Sequence, residues 1–164
     1  MKFEIIIKNG EDHYIPVVPN GAKWVTSRKG SPGKLTFTVI EDDTVKLTEG
    51  NEVRLSVDDT NIFHGFIFSQ NRDKSRQIAV TAFDQMRYLS NKDTYVYKDK
   101  TASDVIKMIA DDFRLKLGTI EQTEYKIPPR VEDNVTLFDI IYNALDLELT
   151  NNKKCTYCLT IAAS

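Results

Sequence analysis

Alternating apolar and polar residues are the feature of this chain that most restricts its fold. In Leu35–Ile40 the residues Leu35, Phe37 and Val39 alternate with their neighbours, and Gly50–Val57 repeats the pattern. Successive side chains of a strand point to opposite faces, so this period of two predicts strands with one buried face. The first ninety residues therefore favour a β structure.

Further apolar segments and turn signals extend this pattern. Asn9-Gly10 is a strong hairpin signal, and Gly65 interrupts an apolar segment where a bulge or a close backbone approach is usual. The segments predicted as strands are 3–8, 14–18, one beginning at Trp24, 35–40, 50–57, 62–68, 77–83 and 95–97. Short strands at this spacing predict a small antiparallel barrel or sandwich.

Two helices are predicted after residue 100. Thr101 with Asp104 resembles a capping box, and Gly118 stands where a helix-ending glycine is expected. Thr136 is the predicted cap of the second helix, and Ile127–Arg130 is extended because of its prolines. The predicted apolar stripes are Val105, Ile106, Ile109, Ala110 and Phe113, then Leu137, Ile140, Ile141, Ala144 and Leu145. The fold class is α+β: an antiparallel β-barrel or sandwich over residues 1–92, followed by a small α/β domain with two helices over 93–154.

Charge and composition exclude several classes of protein. The chain has 22 Lys and Arg against 24 Asp and Glu, a net charge of −2, which is unlike a basic nucleic-acid binder. Hydrophobic residues make up 41%, too many for a disordered chain. The N-terminal apolar run is too short for a signal peptide, and no run is long enough to span a membrane. We expect synthesis in the cytoplasm and neither nucleic-acid nor membrane partners.

Residues suited to catalysis or metal binding do not form a recognisable motif. His13 and His64 lie on separate predicted strands and lack the spacing of metal ligands. The Asp pairs at 42–43, 58–59 and 111–112 are adjacent in sequence and are interpreted as solvated turn or helix residues. We expect no catalytic, cofactor-binding or metal-binding residues.

Two short motifs have the spacing of part of a functional site but lack the rest of it. Cys155 and Cys158 have the spacing of a redox or half-zinc motif, but the chain offers no second ligand pair and no preceding βαβ strand. Gly30–Gly33 lacks the following Lys and helix of a phosphate-binding loop. Neither is interpreted as a site.

Four aromatic residues leave two interpretations open. Trp24, Phe63, Phe66 and Phe68 could form a platform for a carbohydrate or a nucleic-acid base. Their spacing on predicted strands favours packing in the core instead.

The order of the segments is similar to that of a known family. The matching segments are Gly50–Leu55 (GNEVRL), Ile62–Ile67 (IFHGFI), Ile78–Leu89 (IAVTAFDQMRYL), Thr101–Ile106 (TASDVI), Gly118–Ile120 (GTI) and Asn134–Leu145 (NVTLFDIIYNAL). Over residues 1–154 this set resembles the XkdQ/YqbQ-like baseplate hub proteins of phage-type contractile tails, found in prophages and tailocins.

The resemblance implies a structural protein with no catalytic residues and no cofactor. In that family a tail-tube-like barrel is followed by an inserted α/β domain and a second barrel. Three chains form a ring that continues the six-fold tail tube and holds the central spike. The implied partners are the tail tube protein, the spike and other baseplate proteins, and the implied location is the tail baseplate of the virion. A cell-wall carbohydrate-binding β module remains the alternative function.

The chain departs from the family in two respects. Family members are about twice as long, so the second barrel is expected to be missing, and this fragment is expected to be monomeric or weakly associated. Residues 155–164 do not match the family pattern. A shift of one base before them restores a family-like strand, so we expect 155–164 to be an irregular, out-of-frame tail.

Overall fold

The strands of the first part of the chain pair into one antiparallel sheet. The computed structural model describes residues 2–27, 30–42 and 46–152. The strands are β1 (Phe3–Asn9), β2 (Asp12–Tyr14), β3 (Ala22–Val25), β4 (Lys34–Ile40), β5 (Glu52–Val57), β6 (Thr60–Arg72) and β7 (Gln77–Phe83). Among these described residues they form a seven-stranded sheet in the order β2-β1-β5-β6-β7-β4-β3.

The buried face of this sheet confirms the predicted alternation. Leu35, Phe37 and Val39 of β4 are buried, as are Val53 and Leu55 of β5. They belong to one apolar cluster with buried residues of β1, β6 and β7. Burial of apolar surface is the main favourable term in folding, so this cluster stabilises the sheet.

The second strand lies earlier in the chain than predicted. The sequence pattern predicted a strand over 14–18, but β2 pairs with β1 from Asp12 and ends at Tyr14. The reason is the tight turn: Gly10 adopts a φ of 63°, and Asn9 then pairs directly with Asp12. Pro16 cannot donate a backbone hydrogen bond, which limits the strand after Tyr14.

The second part of the chain contains two helices and a two-stranded ribbon. A 3-10 helix (Gln85–Ser90) leads into β8 (Lys92–Tyr97), α1 (Ala102–Asp112), β9 (Arg130–Thr136) and α2 (Leu137–Asn152). β8 pairs antiparallel with β9, and α2 contacts both α1 and β9. The predicted capping box is confirmed, since Thr101 and Asp104 exchange side-chain-to-backbone hydrogen bonds. The Thr136 cap is also confirmed by a hydrogen bond from the Asp139 N–H.

The end of α1 corrects the predicted glycine cap. The helix stops at Asp112, six residues before Gly118. Arg114 adopts the left-handed conformation that was expected for the glycine, with a φ of 53°. The Leu115 and Arg114 N–H groups donate to the carbonyls of Ala110 and Asp111, the pattern of a Schellman motif. A hydrogen-bonded turn thus ends the helix without glycine.

A buried carboxylate fixes the long segment between α1 and β9. Glu148 of α2 is only 6% exposed, and it accepts hydrogen bonds from the N–H groups of Glu124 and Tyr125. At the start of α1, Ser103 and Thr123 also exchange backbone and side-chain hydrogen bonds. Buried polar groups require such partners, so these contacts explain an ordered segment without regular structure.

The chain divides into two compact units. Described residues 2–27 and 31–87 form the first unit, and residues 30 and 88–152 form the second. The fold is therefore α+β and mostly antiparallel, as expected. No ladder joins the outer strands β2 and β3 among the described residues, so the predicted barrel is not established by strand pairing. The tail predicted at 155–164 lies outside the described residues, and no described helix is long and apolar enough to cross a membrane.

Candidate interaction surface

The two histidines lie apart, on different strands. His13 on β2 is exposed, and its Nδ1 is 3.2 Å from the Glu11 carbonyl oxygen. His64 on β6 lies beside β5, with Nε2 2.9 Å from Glu52 Oε1. Among the described residues, no group of three or more His, Cys, Asp or Glu side chains could hold a metal ion.

Glu52 is the centre of a small polar cluster on the outer face of the sheet. Arg54 Nε donates a 3.0 Å hydrogen bond to Glu52 Oε1, the same oxygen that His64 contacts. Partial burial acts to raise the pKa of Glu52, but the contacts with His64 and Arg54 outweigh it and lower that pKa. The carboxylate is thus already paired within the sheet.

The adjacent aspartates have local structural contacts. Asp58 and Asp59 form the β5–β6 turn with positive φ angles, and Asp58 Oδ1 accepts a hydrogen bond from the Lys2 N–H. Asp112 accepts a hydrogen bond from the Tyr95 hydroxyl. Asp43 and the pair Cys155 and Cys158 lie outside the described residues.

The expectation that the four aromatic residues pack in the core is wrong for three of them. Phe63 is 3% exposed, whereas Trp24, Phe66 and Phe68 are 43%, 38% and 54% exposed. Alternation along β6 separates them, because Phe63 and Ile67 face inward while Phe66 faces outward. Trp24 pairs with the buried Leu35, which places it on the sheet face opposite to Phe66.

Strand register places apolar and cationic side chains in a row on the outer face. Phe66 of β6 pairs with Phe83 of β7, which pairs with Lys34 of β4. Lys34 in turn pairs with the exposed Val25 at the edge of the sheet. Paired residues on neighbouring strands share a face, so these side chains lie side by side.

A β-bulge adds a third ring to this row. The β6–β7 register shifts between Ile67 and Ser69, which leaves Phe68 as an extra residue without a partner on β7. A bulge reorients the side chain at the inserted position. Phe68 meets Phe83 edge to face, with ring centroids 5.6 Å apart and planes at 87°.

Two cations lie over these rings. The Arg87 guanidinium carbon is 5.1 Å from the Phe68 centroid and 5.9 Å from the Phe83 centroid. Lys34 Nζ is 5.8 Å from the Phe83 centroid. All three distances are within the range of cation–π attraction. We call Phe66, Phe68, Phe83, Lys34 and Arg87 the outer aromatic patch.

Asp84 fixes the chain beside the patch. Its carboxylate accepts hydrogen bonds from the Gly33 N–H at 2.8 Å and from the Met86 N–H at 3.0 Å. The first bond holds the start of β4, which presents Lys34, and the second orders the turn that presents Arg87. Burial raises the pKa of Asp84 to about 6, although both backbone hydrogen bonds act to lower it.

Sequence reasoning identified only part of this patch. Phe66 and Phe68 were noted, but Phe83, Lys34 and Arg87 were not assigned to any surface. Phe83 ends a predicted strand, so it was visible as a strand residue. Its neighbours depend on the strand order β6-β7-β4 and on the bulge, which no local pattern encodes.

Comparison with known proteins gives consistent sequence matches. Residues 22–163 match the model of the YqbQ-like family. The uncharacterized protein YqbQ of Bacillus subtilis (strain 168) is 29% identical over 141 residues, which cover 82% of this chain and 43% of that protein. The phage-like element PBSX protein XkdQ of the same strain is 29% identical over 146 residues, or 85% of this chain and 44% of that protein. The chain thus spans less than half the length of these curated relatives.

Two solved structures have a similar fold. The 43 kDa tail protein of prophage MuSo2 from Shewanella oneidensis has a TM-score of 0.70 at 11% identity, and the match covers 88% of this chain and 49% of that one. A tail protein from Neisseria meningitidis MC58 has a TM-score of 0.66 at 13% identity, over 89% of this chain and 45% of that one. At such identities the likeness concerns the fold alone.

Proposed function

Because this chain belongs to the YqbQ-like family, we propose that it is a structural subunit of a phage-type tail. The family match over residues 22–163 is the observation on which the proposal depends. It is supported by a relative named as a protein of a phage-like element and by the fold shared with two tail proteins.

Within the tail, the proposed place is the baseplate hub of a contractile prophage or tailocin particle. There the chain joins the tail tube to the central spike and contacts other baseplate proteins. The full-length hub is a trimer in this proposal, and each chain supplies two tube-like barrels to match a six-fold tube. The proposed domains are a tube-like barrel over 1–92 and an α/β domain over 93–154.

One backbone contact supports closure of the first sheet into a barrel. The segment after β2 leaves the β1 edge, and the Val17 carbonyl accepts a 3.1 Å hydrogen bond from the Ile40 N–H at the end of β4. The chain between β2 and β3 therefore crosses from the edge formed by β2 to the opposite edge of the sheet, where β4 and β3 lie. Closure removes exposed strand edges, which otherwise favour aggregation.

The proposed role is non-catalytic, and the arrangement of the aromatic residues disfavours the alternative of a glycan-binding module. The platform predicted for that alternative requires Trp24, Phe63, Phe66 and Phe68 to be exposed together on one face. Phe63 is buried, and strand pairing places Trp24 on the opposite face from Phe66. A flat platform made of all four residues is thus not formed.

Immunogold electron microscopy of induced particles tests the proposal. Antibodies raised against the purified chain should label one end of the tail, where the baseplate lies, and the label should vanish after adsorption with the same chain. Mass spectrometry of the purified particles should detect its peptides. Absence from the particles would contradict a tail role, and label along the whole tube would contradict the hub position.

A further inference from the structure

The outer aromatic patch exposes large apolar side chains to solvent. Phe68 and Phe66 are 54% and 38% exposed, and both lie beside Phe83. Val25, which is 46% exposed, lies beyond Lys34 in the same paired row of β6, β7, β4 and β3. Contiguous exposed apolar residues with a polar border are typical of protein interaction sites.

The positive charge of the patch is not balanced by a carboxylate among the described residues of the first unit. Among the described residues, neither Lys34 nor Arg87 forms an ion pair with a carboxylate. Two carboxylates adjoin the patch: Glu52 pairs with Phe66 across β5 and β6, and Asp84 follows Phe83 in the chain. Glu52 is held by Arg54 and His64, and both oxygens of Asp84 accept backbone hydrogen bonds.

Arg87 combines a ring contact with free hydrogen-bonding capacity. Its guanidinium lies over Phe68 and Phe83, and this contact uses none of its five N–H donors. An arginine stacked on aromatic rings is also held in place, which lowers the entropy lost when a carboxylate binds. Lys34 adds a second positive charge on the other side of Phe83 in the strand order.

From this complementarity we propose that the outer aromatic patch binds an acidic segment of another tail protein, in which a carboxylate meets Arg87 and flanking apolar side chains cover Phe66 and Phe68. The identification of the partner as a tail protein rests on the proposed function; the chemistry of the contact does not. A protein segment fits better than a sugar, because sugars stack on open ring faces. Here cations lie over the rings of Phe68 and Phe83, and those two rings are nearly perpendicular.

A peptide titration followed by NMR tests this inference. The probe is the acetylated, amidated peptide GSDLELDGS, and the control is its neutral counterpart GSNLQLNGS. The acidic peptide should shift the amide resonances of residues 66–68, 83 and 87 of the ¹⁵N-labelled chain. Charge-assisted contacts are screened by salt, so the shifts should weaken as ionic strength rises.

Matched variants distinguish binding at the patch from non-specific attraction between the acidic peptide and a positive charge elsewhere on the chain. Arg87→Gln should weaken binding of the acidic peptide about fivefold, and Phe68→Ser should also weaken it. Arg72→Gln removes an exposed arginine at the far end of β6, where it pairs with Glu41, and Val96→Ser removes an exposed strand valine of the second unit. Both control variants should bind as the unmodified chain does. Lys34→Gln provides a second test if Arg87→Gln lowers thermal stability.

Three outcomes would overturn the inference: no shifts at about 5 mM peptide, equal binding of the neutral peptide, or equal weakening by Arg72→Gln and Arg87→Gln. An oligogalacturonate that shifts the same amides when the acidic peptide does not would assign the patch to glycans instead. The peptide titration uses the purified chain alone, so its result is independent of the particle experiment that tests the proposed function. Peptide binding by a chain that is absent from tails would contradict the proposed function and leave the patch chemistry intact.

Discussion

At the scale of single residues, Asp84 beside the outer aromatic patch makes the stability of the folded chain depend on pH. Burial raises the pKa of its carboxyl group from 3.8 to about 6. The folded chain therefore binds a proton at Asp84 more tightly than the unfolded chain does. The stabilisation that comes from this proton is fully present below about pH 4. That contribution is lost as the pH rises from about 4 to about 6.

Asp84→Asn isolates this contribution, because asparagine stays neutral at every pH. Measured by urea unfolding from pH 3.5 to 7, the stability of the unmodified chain relative to Asp84→Asn should fall by roughly 1 kcal/mol with rising pH. The hydrogen bond lost in the variant adds a constant offset and no slope. Glu121→Gln, at an exposed carboxylate, controls for the change in net charge. Parallel pH profiles for the unmodified chain and Asp84→Asn would contradict the shifted pKa.

At the scale of elements, the close approach of β6 and β7 depends on Gly65. A Cβ atom at this position would meet the backbone carbonyl oxygen of Phe83 and lie 2.7 Å from the Phe63 ring. This confirms the close backbone approach predicted from the glycine in an apolar segment. The contact also sets the position of Phe83, and with it the patch.

Gly65→Ala should therefore destabilise the first unit. Forcing a methyl group into such a contact costs about 1–3 kcal/mol, because the obstacle is backbone and the strands must move apart. Chemical denaturation followed by the fluorescence of Trp24, the only tryptophan, reports this loss. Gly118→Ala is the matched control, since nothing lies within 4 Å of a Cβ atom there and its stability should change little. Equal stability of the two variants would contradict the role of Gly65.

Local sequence patterns predicted where strands and helices form better than they predicted which elements lie next to one another. The alternation in β4 and the caps at Thr101 and Thr136 are local, and all three are confirmed. The end of α1 was misplaced because Arg114 adopts a conformation for which glycine is the usual signal. β9 was not predicted as a strand, since Arg130–Thr136 lacks a continuous apolar alternation and is stabilised by its pairing with β8.

The candidate surface could be predicted only in part, for a related physical reason. Phe66 and Phe68 are visible in the sequence, but burial depends on which face each residue occupies. The bulge at Phe68 changes the alternation along β6, and Phe83 becomes a neighbour only through strand order. Such information is non-local, and a period of two within one strand does not contain it.

At the scale of the whole molecule, the proposed hub constrains how copies of this chain associate. A ring with six barrel positions is completed by three chains only if each chain supplies two barrels. Among its described residues this chain has one seven-stranded sheet, and it spans 43% and 44% of its curated relatives. In a longer chain the second barrel would be tethered to the first at a high effective concentration, and separate copies lack that advantage.

The purified 164-residue chain should therefore be a monomer at about 10 μM, as measured by light scattering after size exclusion and by sedimentation velocity. A stable hexamer would contradict two barrels per chain, because six single-barrel copies would then close the ring unaided. A dimer that dissociates in Arg87→Gln but persists in Arg72→Gln would have a different meaning. It would identify the partner of the outer aromatic patch as a second copy of the chain, because only Arg87 of these two arginines lies over Phe68 and Phe83.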